Sequence, residues 1–216
     1  TIEKLFRDVA WKTRWIYISG GWEPTLHPQF PDILQCARDS GFEDVVMITN
    51  GTQLERPEIQ NAILRYADSV RVSLNSVDND GHKRVYGMSF WTFDQVCRGI
   101  RSLREKRDST GSKTQIGIAT LTNWRMTKEV GPFYDLWVNM WVDWIHYRPW
   151  INWFRKGEIK WLRIVDTDEE RIALAKLPKS EKPKVVISHD RYRLRSEELR
   201  FQQYHYSHFL AVIWAD

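Results

Sequence analysis

The stretch SGGWEPTLHP, residues 19–28, places two glycines, a carboxylate and two prolines directly after the apolar run WIYI. Glycines at such a turn let the backbone approach a ligand closely, and a carboxylate beside them can receive an ammonium group. Pro24 stiffens the turn that carries Glu23. The alternative is a tight turn with a surface glutamate, and the stretch by itself leaves both readings open.

Polar residues also follow the next two apolar runs. ITNG offers Thr49 and Asn50 as hydrogen-bonding groups before Gly51, and SLN offers Ser73 and Asn75. Each motif alone is more often a turn or a helix cap. Their occurrence in order, one set per strand end, favours a shared ligand site.

Apolar periodicity alternates between helix and strand along most of the chain. Helical spacing recurs at 29–39, 56–67, 93–106 and 127–140, and strand-like runs recur at 45–48, 69–75, 114–123 and 142–149. This alternation predicts a parallel sheet built from right-handed βαβ units, either a barrel or a doubly wound sheet. In both architectures, ligands bind at the carboxyl ends of the strands.

Four segments resemble successive parts of the radical S-adenosylmethionine (SAM) enzyme core: YISGGWEPTLHPQF, VVMITNGTQL, VRVSLNSVDNDGHKRVYG and TQIGIATLTN. The resemblance covers about residues 1–149. It implies an α/β fold, a partial (βα)6 TIM-like barrel whose first strand is missing, so that 1–149 carries the second to sixth βα units. It also implies SAM and a 4Fe-4S cluster, which together generate a 5′-deoxyadenosyl radical that abstracts a substrate hydrogen.

The resemblance also implies which residues bind the cofactor. The two glycines and Glu23 hold its amino group, strand-end residues lie along its carboxylate and ribose, and 119–121 borders the adenine. Arg148 faces cofactor or substrate, with a salt bridge at the barrel mouth as the alternative. The implied set is Gly20, Gly21, Glu23, Pro24, Thr49, Asn50, Ser73, Asn75, Thr120 and Arg148.

The CxxxCxxC loop that holds the cluster in that family is absent from this sequence. The two cysteines, Cys36 and Cys97, lie 61 positions apart on amphipathic helical patterns, which favours buried thiols over a disulfide or a metal site. We therefore expect no metal ligands in this chain. The cluster ligands are expected upstream of Thr1, in a longer protein of which the chain is a part.

A second departure is Trp22, because family members carry GGEP or GGGEP at this turn. The chain has 12 tryptophans, and several stand beside turn residues. We predict that these occupy glycine-like positions, where an indole strains the backbone at positive φ or fills volume that the cofactor needs. The positions are Trp22, Trp124, Trp141, Trp144, Trp150, Trp153 and Trp214.

Residues 150–216 form a predicted C-terminal α+β extension, with a helix near 167–175 and strands in KPKVVIS and HFLAVI. By resemblance, it begins a substrate-capping domain or a SPASM/twitch-like domain that carries a second cluster.

The first functional hypothesis is a radical SAM enzyme acting on a small-molecule or peptide substrate, with flavodoxin or ferredoxin as electron donor. The alternative is a non-catalytic, barrel-derived module that lacks cluster ligands and binds RNA or an acidic partner through its basic face. Separately, the basic and aromatic stretch 191–206 is of a kind that can bind RNA, but Glu197 and Glu198 dilute it and favour a solvated helix. A phosphate-binding barrel such as an aldolase would need a late glycine-rich loop, and none is evident.

The overall composition of the chain limits the partners and the compartment that these hypotheses can include. A net charge of +4, spread along the chain, permits an anionic partner without requiring one. No apolar run is long enough to span a membrane, and the cysteine usage fits a reducing cytoplasm. His27 and His82 are interpreted as structural hydrogen-bonding groups rather than general bases.

Overall fold

The computed structural model describes residues 1–87, 92–122, 127–149, 168–180 and 182–188. These ranges contain the helices α1 (Ile2–Ala10), α2 (Phe30–Asp39), α3 (Pro57–Tyr66), α4 (Asn79–Tyr86), α5 (Phe93–Thr110), α6 (Val130–Asn139) and α7 (Asp168–Ala175). They also contain the strands β1 (Trp15–Ile18), β2 (Asp44–Thr49), β3 (Ser69–Ser73), β4 (Gln115–Thr122), β5 (Trp144–Pro149) and β6 (Lys184–Ile187). Short 3-10 helices span Pro24–Leu26 and Thr127–Glu129.

The strands form one six-stranded parallel sheet in the order β1-β2-β3-β4-β5-β6. Among the described strands, the order does not return from β6 to β1, so the sheet is open. Helices alternate with the strands, which confirms the predicted α/β class. The strand HFLAVI, the stretch 191–206 and the tryptophans at 124, 150, 153 and 214 lie outside the described residues.

The described chain divides into two units. The first comprises residues 1–73 and 92–117. It contains β1 to β3, α1 to α3 and α5. The second comprises residues 74–87 and the described residues from 118 onward.

The core of the first unit lies between its helices and the strands β2 and β3. The helix α2 buries Phe30, Leu34 and Ala37 at helical spacing, and β2 alternates half-buried with fully buried residues. Apolar side chains at this spacing form the packed face that stabilises the helix against the sheet. The strand β1 differs, because its residues alternate between exposed and half-buried.

Aromatic residues of α6 and β5 dominate the core of the second unit. The ring of Phe133 lies 5.9 Å from that of Trp137 and 5.8 Å from that of Tyr147, both edge-to-face. The Tyr147 hydroxyl donates to the Val130 carbonyl at 3.0 Å, and burial raises the pKa of Tyr147 above its usual value. In the same unit, β6 pairs in parallel with β5, so the KPKVVIS strand prediction is confirmed.

The sequence reading missed α4. Its eight residues are mostly polar and bury only Gly81 and His82, so its ends define it instead. The Asp78 carboxylate accepts from the Gly81 amide at 2.6 Å, while Gly87 ends the helix at φ +77.

Two of the tryptophans flagged in the sequence differ in backbone conformation. Trp141 follows α6 at φ +55 and is the only described non-glycine residue with positive φ, as predicted for a glycine-like position. Trp22 is 89% exposed but does not have positive φ, so the expectation of backbone strain there is wrong. Trp144 lies within β5, where extended backbone suits any residue, so the expectation does not hold there either.

Within the described ranges, no helix combines the length and the apolar character needed to cross a lipid bilayer.

Candidate functional site

The carboxylate of Glu23 ties the loop after β1 to the end of β2. One oxygen, Oε1, accepts from the Thr25 amide at 3.1 Å, from the Thr25 hydroxyl at 2.6 Å and from the Thr49 hydroxyl at 2.6 Å. The other, Oε2, accepts from the Asn50 amide at 2.6 Å. Since Oε1 has three donors and Oε2 has one, Oε2 retains capacity for a further donor from a ligand.

The parallel register explains how these distant residues meet. Because β1 and β2 run side by side in the same direction, the loop after β1 and the end of β2 lie at the same sheet edge. The Thr49 side chain is buried, donates to Glu23 and accepts from the Gly51 amide at 3.0 Å. Thr49 therefore orients the Glu23 carboxylate, and its hydroxyl is already engaged within the protein.

Asn50 continues the turn beyond Thr49. Its side-chain oxygen accepts from the Thr52 amide at 2.9 Å, an arrangement that fixes the chain direction after β2. Ser73 ends β3 one residue beyond Val72, the partner of Thr49 in the sheet. The Ser73 side chain is half-buried and makes no hydrogen bond within the described residues, so its hydroxyl is available to a ligand.

Gly20 and Gly21 precede Glu23 in an exposed loop, and neither has positive φ. A Cβ added to Gly20 would lie 3.5 Å from the Trp22 carbonyl oxygen, which is an ordinary contact. The protein's own packing and backbone conformation therefore do not require glycine at position 20. Close approach of a ligand to the backbone would explain it. Pro24 is the first residue of the 3-10 helix that Glu23 caps.

In the second unit, Asn75 occupies the loop after β3. Its side-chain oxygen accepts from the Leu121 amide of β4 at 2.8 Å, and the Tyr86 hydroxyl accepts from both the Asn75 backbone amide and its side-chain nitrogen. The Thr120 side chain is buried in β4. Arg148 is half-buried in β5, and its carbonyl accepts from the Thr122 hydroxyl at 3.2 Å.

The predicted set therefore falls into two groups, one per unit. In the first unit, Thr49 and Asn50 donate to the Glu23 carboxylate, Gly20, Gly21 and Pro24 lie in the loop that carries it, and Ser73 ends the neighbouring strand β3. Asn75, Thr120 and Arg148 belong to the second unit. Sequence reasoning missed Thr25 and Tyr86. The position of Thr25, two residues after an acidic residue that can cap a helix, could have predicted its bonds to Glu23. Nothing in the local sequence pattern indicated Tyr86.

The two cysteines lie apart as single thiols. Cys36 and Cys97 are free and half-buried. Burial, reinforced by Asp94, raises the pKa of Cys97 to about 12. Among the described residues, no cluster of three His, Cys, Asp or Glu side chains could hold a metal ion.

The two histidines adopt local structural roles, as predicted. The exposed His27 accepts from the Gln29 amide at 3.1 Å just before α2. His82 is buried beside the Ser76 hydroxyl at 3.2 Å, and burial lowers its pKa, which favours the neutral ring.

The family model for the radical SAM superfamily matches residues 1–125. This match spans more than half of the chain, and it includes β1 to β3 and the loop that carries Glu23. The chain therefore belongs to the radical SAM superfamily, a class of enzymes that use SAM.

Curated relatives include a "Probable GTP 3′,8-cyclase" of Saccharolobus solfataricus, which is 30% identical over 132 residues, or 61% of this chain and 40% of the relative. A protein of the same name from Methanosarcina mazei is 35% identical over 104 residues, or 47% of this chain and 29% of the relative. The chain thus spans less than half the length of these relatives.

Solved structures support the fold. Streptococcus suis SuiB bound to S-adenosylmethionine aligns with a TM-score of 0.60 at 12% identity, over 86% of this chain and 43% of SuiB. SuiB bound to its precursor peptide SuiA aligns with a TM-score of 0.55 at 15% identity, over 68% of this chain and 31% of SuiB. The open parallel sheet is thus the partial, barrel-like fold of the superfamily.

Proposed function

We propose that the chain is the SAM-binding core of a radical enzyme that cleaves SAM reductively and abstracts a hydrogen atom from its substrate. The observation that carries the proposal is the Glu23 carboxylate, held by four donors at the carboxyl edge of β1 and β2, two residues after an exposed pair of glycines. This edge is where ligands bind in folds of this class.

The residues around Glu23 fit the amino-acid end of SAM. The cofactor's ammonium group needs acceptors, and both Glu23 Oε2 and the carbonyls of the glycine loop can supply them. Its carboxylate needs donors, and the Ser73 hydroxyl is available. The four internal bonds to Glu23 hold its negative charge in place before the ligand arrives, which lowers the ordering cost of binding.

The residues of this chain do not fit a 4Fe-4S cluster. The sequence has two cysteines, 61 positions apart, whereas the family loop uses three in a CxxxCxxC spacing. We therefore propose that cysteines other than Cys36 and Cys97 hold the cluster. A cluster held in this way would supply the electron for the reductive cleavage of SAM proposed above.

The substrate class follows only from relatives. GTP is the first compound to test, because the relatives by sequence are called probable GTP 3′,8-cyclases. A peptide is the second, because SuiB is described with a precursor peptide. A flavodoxin or ferredoxin would supply the electron, and the cytoplasm is the expected compartment. A second cluster remains a prediction about the extension. No observation favours the alternative of a binding module for RNA or an acidic partner, and the stretch 191–206 lies outside the described residues.

The test is reductive cleavage by the full-length gene product, purified without oxygen and reconstituted with iron and sulfide. We expect about four irons per chain and, after dithionite and SAM are added, 5′-deoxyadenosine on chromatography. Omission of dithionite is the control. A protein that gains iron but forms no 5′-deoxyadenosine, with or without GTP, would contradict the proposal.

A further inference from the structure

The strands β1, β2 and β3 of the first unit have two different faces. Residues that pair across parallel strands point to the same side of the sheet, and the fully buried pair Met47 and Val70 marks the side that packs on the helices. The residues that alternate with these point to the other side and are half-buried or exposed. We call that side the half-exposed face, and it includes Tyr17, Val46, Ile48, Arg71 and Ser73.

Arg71 gives the half-exposed face a positive charge. Among the described residues of β1 to β3 it is the only basic one, and its side chain is half-buried. The acidic residue of this face, Asp44, precedes Ile48, the partner of Arg71, by four residues along β2, which is about 13 Å. The middle of the face therefore favours an anion. A guanidinium has five N–H donors, so a contact within the protein leaves others for a ligand.

Tyr17 places an aromatic ring on the same face. Its side chain is 59% exposed although it lies within a strand. Because Tyr17 pairs with Val46 and Arg71 pairs with Ile48, the Cα atoms of Tyr17 and Arg71 are about 12 Å apart, two strands across and two residues along. Both side chains are long, so a compound the size of a nucleoside can contact both. The pair fits a molecule that combines a flat group with an anionic group.

The half-exposed face leads to the candidate cofactor site within the same unit. Ser73 follows Arg71 by two residues on β3, about 7 Å closer to the strand end. At that end, Thr49 donates to the Glu23 carboxylate, and Thr49 pairs with Val72, the residue before Ser73. A compound bound at Arg71 would therefore lie next to a cofactor bound at Glu23 and Ser73, as hydrogen abstraction requires.

We propose that Arg71 is a specificity-determining residue, which binds an anionic oxygen group of the substrate, a phosphate or a carboxylate, while the Tyr17 ring lies against the rest of the molecule. The inference rests on the proposed function and adds the chemical class of the substrate, a small molecule with negative charge. All of the residues that carry it belong to the first unit.

The test is equilibrium dialysis of two probes against the anaerobic, full-length, cluster-loaded protein, with and without SAM. GTP carries phosphates and a flat base, and citrate carries carboxylates without a ring. We expect saturable binding of at least one probe with a dissociation constant below about 1 mM, and the probe that binds identifies the anionic group. Arg71→Gln should weaken this binding about tenfold, and Arg71→Lys less, because lysine keeps the charge but loses the planar pair of donors.

SAM affinity should be unchanged in both Arg71 variants. Arg65→Gln, which removes an exposed arginine of α3, is the matched control and should leave probe binding unchanged. Tyr17→Ala tests the ring in a variant whose altered side chain is exposed. It should weaken GTP binding about threefold and leave citrate binding unchanged.

Three results would overturn the inference: neither probe binds to the parent protein, Arg71→Gln binds the probe as tightly as the parent does, or Arg71→Gln loses SAM affinity by the same factor. The last result would assign Arg71 to the fold or to the cofactor, and urea unfolding of each variant separates these two. Equal GTP binding by Tyr17→Ala and a GTP-binding parent would overturn the role of the ring. If a probe binds through Arg71 but SAM does not bind at all, the proposed function fails while the anion site stands.

Discussion

Trp22 and Trp141 both stand where the sequence suggested glycine, and the structure separates them. Trp141 follows α6 at φ +55, in the left-handed region that costs a residue with a Cβ about 1–2 kcal/mol. Trp22 stands between the glycine loop and Glu23 without positive φ, and its indole is 89% exposed. One tryptophan therefore strains the backbone, whereas the other is an exposed side chain in the loop that carries Glu23.

The turn after α2 shows what the position of Trp141 requires. The Ser40 and Gly41 amides donate to carbonyls four and three residues earlier, and the Met140 and Trp141 amides do the same after α6. Gly41 has φ +93, and a Cβ added there would meet nothing within 4 Å. The two turns share a hydrogen-bond pattern, and backbone conformation, rather than packing, makes glycine the suitable residue.

The largest expected effect lies beside Trp22. Glu23→Ala removes the acceptor of four donors, so we expect SAM affinity to fall by about 100-fold and the free energy of unfolding to fall by about 2–3 kcal/mol. Equilibrium dialysis and urea unfolding measure the two effects. Glu43→Ala is the control, because Glu43 makes an exposed ion pair with Arg14 worth less than about 1 kcal/mol. Unchanged affinity in Glu23→Ala would contradict the role of the loop.

Trp22→Gly should raise SAM affinity about tenfold, because it removes a large side chain from the loop whose backbone we propose to contact SAM. The free energy of unfolding should change by less than about 1 kcal/mol, since the indole is exposed and the backbone there is unstrained. Dialysis and urea unfolding on one preparation separate the two quantities. If Trp22→Gly raised the free energy of unfolding without raising SAM affinity, the proposed difference between Trp22 and Trp141 would be wrong.

Trp141→Gly should have the converse effect. We expect the free energy of unfolding to rise by about 1 kcal/mol, because glycine relieves the left-handed strain, while SAM affinity stays the same. The reciprocal change Gly41→Ala should lower the free energy of unfolding by a similar amount. If Trp141→Gly destabilises the protein, the strain assigned to this turn is wrong.

Trp11 provides the smallest and most selective comparison. It is 78% exposed after α1 but has a helical conformation, with φ −78, and its ring lies 4.9 Å from the Lys12 ammonium. Glycine relieves no backbone strain at this position, and it increases the conformational entropy of the unfolded chain. Trp11→Gly should therefore lower the free energy of unfolding by about 0.5–1 kcal/mol. If Trp11→Gly instead raised the free energy of unfolding as much as Trp141→Gly, the exposure of the side chain, and not φ, would determine the change in stability.

The sequence predicted much of this architecture because apolar spacing alone distinguishes long amphipathic helices from buried strands. It missed α4, whose stability depends on the Asp78 cap and the Gly87 end rather than on an apolar stripe. It placed Glu23 in the site but could not give its partners, since Thr49 and Asn50 reach it only through the parallel pairing of β1 with β2. It could not find Tyr86 either, because its bonds to Asn75 join two elements.

The most direct test of the central claim, that the loop before Glu23 binds SAM, is equilibrium dialysis of radiolabelled SAM with two full-length variants, Trp22→Gly and the double variant Trp22→Gly/Glu23→Ala. We predict saturable binding by the first and a loss of about 100-fold in the second, while Glu43→Ala in the same background binds as the single variant does. Equal binding by both variants, or none by Trp22→Gly, would contradict the assignment of this loop to the cofactor.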